Sequence, residues 1–137
     1  MRKKHLSDLK IGDITTFEKT ITDADIFAFT GISGDFNPLH VSEAYAKNTR
    51  FKGRLAHGML SACLIDYTLT DMIGSGGIHI SQFVKFKAPV MVGDTILVTS
   101  RIKEIIPVRS RVKIESTLTN QKGDIVITGL AEVKLAD

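Results

Sequence analysis

The chain has 137 residues, 43% hydrophobic and 24% charged, and its 18 Lys and Arg against 15 Asp and Glu leave a net charge of +3. That is length for one domain, 1–137, with a core able to stand alone, and the composition is that of an ordinary soluble globular protein. The mild positive excess has no dense run beyond Arg2-Lys3-Lys4, which argues against nucleic acid and suits a small anionic ligand.

Further classes fall away on particular residues. The lone Cys63 excludes an intrachain disulfide framework and a cysteine-rich metal site. No stretch approaches the ~20 apolar residues of a membrane span. No apolar run follows the basic N-terminal residues, so no secretory signal is expected and the protein is read as cytoplasmic.

In chain order, Leu9 to Asp13 is a turn leading into a strand over Ile14 to Thr20. Thr22 is placed as the N-cap of a short helix, with Asp23 and Asp25 in its first turn, ending near Gly31. A loop carries Asp35 to His40. Ser42 then caps a second short helix through Ala46, and Thr49 to Arg54 is irregular.

The longest helical pattern runs from about His57 to Ile73. Met59, Leu60, Cys63, Leu64, Tyr67 and Met72 form a stripe, which Ala62, Ile65, Leu69 and Ile73 widen nearly all round. A helix apolar on most sides is expected to be enclosed by protein, with Cys63 in the core. Asp66 is out of character there and points to solvent or to a hydrogen bond at a subunit interface. Gly74-Ser75-Gly76-Gly77 ends the helix.

Four strands follow. Ile78 to Phe86 is the first, with a change of phase near Gln82 that suggests a bulge. After Pro89 and Gly93-Asp94 come Thr95 to Ile106, Arg109 to Asn120 and Ile125 to Leu135. Short connections predict an antiparallel meander. The expected architecture is α+β, a curved sheet wrapped around one long central helix.

The chemistry concentrates in Ser33-Gly34-Asp35-Phe36-Asn37-Pro38-Leu39-His40. Pro38 disfavours the α region for Asn37, so the chain is expected to leave any helix before His40. Asp35 and His40 are then predicted to face each other across a tight loop. A carboxylate and an imidazole held that way can manage one water molecule between them, the equipment for adding or removing water.

Phe29 through Ala46, with Gly34-Asp35, Asn37-Pro38-Leu39-His40 and Ala46, resembles the signature of the MaoC-like (R)-specific enoyl-CoA hydratases, the hydratase 2 group. Ala56-His57-Gly58-Met59 and Phe86-Lys87-Ala88-Pro89-Val90 with Gly93-Asp94-Thr95 are similar to that family's pattern in the same order. The resemblance implies a hot-dog fold with Asp35 and His40 as the catalytic pair. It also implies the Gly58 backbone N–H in an oxyanion hole and a dimer or higher assembly around a pantetheine tunnel. The implied reaction is reversible syn addition of water to a trans-2-enoyl thioester, in fatty acid metabolism, with no metal or organic cofactor.

Hydrating such a thioester needs water deprotonated at C3, a proton at C2 and charge stabilised on the thioester oxygen. Asp35 and His40 on one face would supply the first two, with the order between them open, and Gly58 the third. Asn37 and Ser61 are expected near the substrate. His57 is read as a structural hydrogen-bonder at the helix start, and Lys85, Lys87, Arg109 and Arg111 as solvated strand residues rather than phosphate contacts. The alternatives are a (3R)-hydroxyacyl-acyl carrier protein dehydratase and a non-catalytic acyl-thioester-binding hot-dog protein. A hot-dog thioesterase fits the Asp35 and His40 pattern less well.

Overall fold

The computed structural model describes residues 2–136. The elements are β1 (Ile14–Thr20), α1 (Asp23–Ser33), α2 (Pro38–Val41), α3 (Glu43–Ala46), α4 (Gly58–Ala62), α5 (Ile65–Ile73), β2 (Ile78–Phe86), β3 (Thr95–Ile106), β4 (Arg111–Thr119) and β5 (Ile125–Lys134). Single 3₁₀ turns at Leu6–Asp8 and Pro107–Arg109 complete the list. The strands form one antiparallel sheet in the order β1-β3-β4-β5-β2, folded over α5 as a hot-dog fold.

Alternation in the sequence sets which face of the sheet is inside. Ile96, Val98 and Ile102 on β3, Val112, Ile114 and Leu118 on β4, and Val126, Ala131 and Val133 on β5 are all buried. They pack with Ile65, Leu69, Met72 and Ile73 of α5. Each fully buried side chain of this kind contributes about 1.5–3 kcal/mol. Three hydroxyls cross this core in a chain. Thr68 meets Ser100 at 2.6 Å and Ser100 meets Ser116 at 2.7 Å, while Thr68 also donates to the Ile65 carbonyl at 2.7 Å.

The meander holds for β3, β4 and β5 but not for β2, which lies on the far edge against β5. Pro89 has no N–H for a ladder, and the segment after β2 pairs elsewhere. Ala56 N–H donates to the Val90 carbonyl at 2.8 Å and Val92 N–H to the Arg54 carbonyl at 3.2 Å. The irregularity in β2 falls between His79 and Ser81, slightly before the expected place.

α1 runs past Gly31 to Ser33 and ends on Gly34, whose left-handed backbone (φ 75°) returns its N–H to the Thr30 carbonyl at 2.9 Å. A glycine inside a helix costs only about 1 kcal/mol, and Gly34 supplies the αL cap that Gly31 does not.

The long helix is two pieces, α4 and α5. Around Cys63 and Leu64 the bonds tighten, Leu64 N–H reaching Ser61 and Asp66 N–H reaching Cys63. Side-chain bonds from Cys63 Sγ to the Leu60 carbonyl and from Thr68 to Ile65 accompany the bend. Nor is this helix enclosed. Met59, Cys63, Asp66, Tyr67 and Thr70 leave a stripe exposed, so Cys63 is not a core residue. Asp66 reaches His79 Nδ1 at 3.4 Å.

Candidate active site

The site begins where α1 stops. Asn37, with an extended backbone (φ −51°, ψ 126°), is the N-cap of α2, and its Oδ1 accepts from Leu39 N–H at 3.0 Å. Pro38 does exclude the α region for the residue before it. It also opens a helix of its own, since its missing N–H is no loss at the first helical position. His40 therefore lies in a one-turn helix, α2, instead of beyond all helix as expected. Asp35 stays outside any helix. Its N–H donates to Ser33 Oγ at 3.2 Å and its Oδ1 accepts from Asn37 N–H at 3.1 Å.

These local bonds bring Asp35 Oδ2 to 3.7 Å from His40 Nε2. That is too long for a direct hydrogen bond and short enough for one small polar group to engage both. Their surroundings differ: the Asp35 side chain is 49% exposed and that of His40 only 11%. His40 Nδ1 donates to the Leu55 carbonyl at 2.8 Å. A carbonyl only accepts, so the proton of the neutral imidazole is on Nδ1, and Nε2 faces Asp35 with a free lone pair.

His57 backs this pair. It is 3% exposed, and its ring stacks on that of His40 with centroids 4.0 Å apart. Its Nε2 donates to the Asp35 carbonyl at 3.1 Å and meets Thr30 Oγ1 at 3.2 Å. It forms no side-chain cap on α4, so the structural role read from the sequence is served by Asp35 and Thr30 instead. Ligand atoms of Asp35, His40 and His57 lie within 4.8 Å of one another. Of these, the His57 Nε2 proton is committed to the Asp35 carbonyl.

Gly58 opens α4, and its N–H, like every first-turn N–H, has no intrahelical acceptor. A Cβ at Gly58 would stand 2.8 Å from Cε1 of Phe86, so any larger residue requires the Phe86 ring to shift. Gly58 and Phe86 together divide two cavities. One of about 350 Å³ is bordered by His40, Leu55, Ser61 and Val90, with Arg50 and Lys87 also on its walls. The other, about 590 Å³, is bordered by Phe29, Asp35, His57 and Met59. Ser61 is fully buried with an unpartnered Oγ. Asn37 lines neither cavity, its carboxamide oxygen being spent on α2. Arg111 pairs with Glu132 across β4 and β5 at 2.6 Å.

The sequence reading missed Arg54, which it left in irregular chain, and Leu55, which it did not place. Arg54 bonds Asp23 and, at 3.1 Å, Glu43 Oε2, while Nη1 donates to the His40 carbonyl at 3.3 Å. The Asp23 bond, with that of Glu43, outweighs burial and raises the guanidinium pKa. The partners lie 11 to 31 positions away, and nothing in the local pattern announces them.

A hot-dog sheet presenting a carboxylate and an imidazole beside a glycine helix start defines a class of acyl-thioester proteins. The MaoC-like domain family matches residues 11–123, and the chain belongs to it. An (R)-specific enoyl-CoA hydratase of Rhodospirillum rubrum is 44% identical over 94% of this chain and 90% of its own length. A 3-hydroxybutyryl-CoA dehydratase of Methylorubrum extorquens is 39% identical over 98% and 86%. Among solved structures, an R-hydratase of Pseudomonas aeruginosa is 36% identical with a TM-score of 0.90, covering 96% of this chain and 84% of that one. More distant relatives include 3-hydroxyacyl-acyl carrier protein dehydratases.

Proposed function

We propose that the protein hydrates trans-2-enoyl-CoA reversibly to (3R)-3-hydroxyacyl-CoA, adding water in the syn sense. The observation that carries this is the 3.7 Å approach of Asp35 and His40 beside the free N–H of Gly58. Water held between the two gives its oxygen to C3 while C2 receives a proton on the same face. One O–H bond and the C2=C3 π bond break, one C–O and one C–H bond form, and the pair returns to its starting protonation state. The lone pair on His40 Nε2 makes it an acceptor for the water's proton. Positioned proton transfer of this kind is worth roughly 10²–10⁴-fold, or about 3–5 kcal/mol.

Gly58 N–H is the donor to the thioester oxygen, where charge develops between addition and protonation. Ser61 borders the same cavity one turn along α4 and is assigned beside the substrate. Asn37 acts through the turn it caps. No metal or organic cofactor enters the scheme. The chain is one domain, 1–137, working in the cytoplasm in fatty acid metabolism. It pairs as a homodimer or dimer of dimers, because β2 is a sheet edge with Ile78, Phe83 and Phe86 exposed beside the stripe of α4 and α5. Light scattering reads that assembly; a mass of 15.0 kDa at micromolar concentration would end it.

The deciding assay follows loss of enoyl-thioester absorbance with crotonyl-CoA, then with the same acyl group on acyl carrier protein. Turnover on CoA supports the proposal. Preference for the carrier protein moves the chain to the dehydratase reading favoured by its more distant relatives. A folded protein that turns over neither is a binding protein and not this enzyme.

A further inference from the structure

We infer that Arg54 is a positioning residue for this chemistry, a partly buried clamp that sets the place of His40 and the nitrogen it presents. The inference rests on the hydratase reading only for its activity readout. The Arg54 side chain is 12% exposed, and its donors go to three different elements. Nη2 holds Asp23 at the start of α1, Nε holds Glu43 at the start of α3, and Nη1 holds the His40 carbonyl in α2. The guanidinium also lies over the Phe27 ring, 5.6 Å from its centroid.

A planar fork with five donors can satisfy three acceptors in fixed relative positions, whereas an ammonium on a flexible stem cannot. One peptide unit further, Leu55 contributes both its groups to the same place. Its N–H donates to the Leu39 carbonyl at 3.2 Å, and its carbonyl takes the His40 Nδ1 proton. The Arg54 carbonyl is itself anchored by Val92 N–H, and Ala56 N–H by Val90. Arg54 and Leu55 therefore hold α2 from its backbone and its imidazole at once. Loosening the clamp lets Leu55 and His40 drift apart, and the Nε2 lone pair loses its bias toward Asp35.

The test is Arg54→Lys, assayed with crotonyl-CoA at a temperature where circular dichroism shows a fully folded chain. The expected result is a kcat at least tenfold lower with KM within about threefold, together with a change in the His40 ¹⁵N signals from one tautomer to an exchanging pair. A purely structural arginine would lower the melting temperature and leave the tautomer and kcat of folded enzyme alone; that outcome overturns the inference. If Arg54→Lys does not fold, Asp23→Asn/Glu43→Gln leaves the guanidinium in place without its carboxylates. A severalfold loss of kcat there supports the clamp, and an unchanged kcat refutes it. Either refutation leaves wild-type hydration untouched, so the two readings fail separately.

Discussion

The sheet core and the Asp35–His40 turn are built on opposite terms. Between β3, β4, β5 and α5, many side chains are buried almost completely. In the turn, all eight residues from Ser33 to His40 except Leu39 and His40 are exposed. Their geometry depends on a handful of hydrogen bonds, each of modest net worth. The core is held by area and the turn by direction. Damage to the first should therefore appear as lost stability, and damage to the second as lost rate.

The widest separation is expected at the turn itself. Asp35→Asn or His40→Gln should each lower kcat roughly 10²-fold or more with KM altered less, while thermal unfolding barely moves. If the two act around one water, Asp35→Asn/His40→Gln should be scarcely slower than either single variant, since groups working as a unit are strongly non-additive. A folded Asp35→Asn enzyme at wild-type rate removes the proposed mechanism.

The reciprocal case is Ile114→Ala, at a fully buried position of β4. Denaturant titration should show a loss of about 2–5 kcal/mol, and the folded fraction should retain its turnover. Gly34→Ala sits on the boundary between the two regions. Nothing lies within 4 Å of a Cβ there, so the cost is that of the left-handed backbone alone, about 1–2 kcal/mol. Its excess over that, read as rate per folded enzyme, measures how far the cap aims Asp35.

The smallest effect is an acid shoulder in stability from the start of α1. Burial works to raise the Asp25 carboxyl, but bonds from Lys19 and Thr22 outweigh it and the net pKa is lowered. A folded-state pKa below the unfolded one means stability that is present above the ordinary Asp value of 3.8 and fades as pH falls through the folded value. Asp25→Asn should therefore narrow the stability gap to wild type at the acid end of a pH series. A gap that stays constant down to acid would show that the cap does not depend on charge.

Legibility follows the same division. Ile14–Thr20 and Thr95–Ile106 emerge from alternation with the observed bounds because one periodic signal spans each strand. The placement of β2 beside β5 is a long-range choice, and the proline that interrupts the link at residue 89 does not say which edge the strand joins. At the site, Asp35 and His40 stand out by residue type and spacing, whereas Gly58 comes only from the family resemblance. The helix around His40 was masked by reading Pro38 only for what it forbids before it. Arg54 and Leu55 were invisible because their partners are brought close by folding.

The line of hydroxyls through Thr68, Ser100 and Ser116 fixes alignment more than it adds stability. Ser100 and Ser116 are directly opposed on β3 and β4. Sliding either strand by one residue would turn its serine to the other face and leave the buried partners unmatched. Each abandoned hydroxyl costs about 1–3 kcal/mol, whereas Ile and Val neighbours would repack with far less discrimination. Because β3 anchors β1 on one side and leads through β4 to β5 and β2 on the other, three small polar groups set the phase of the whole sheet.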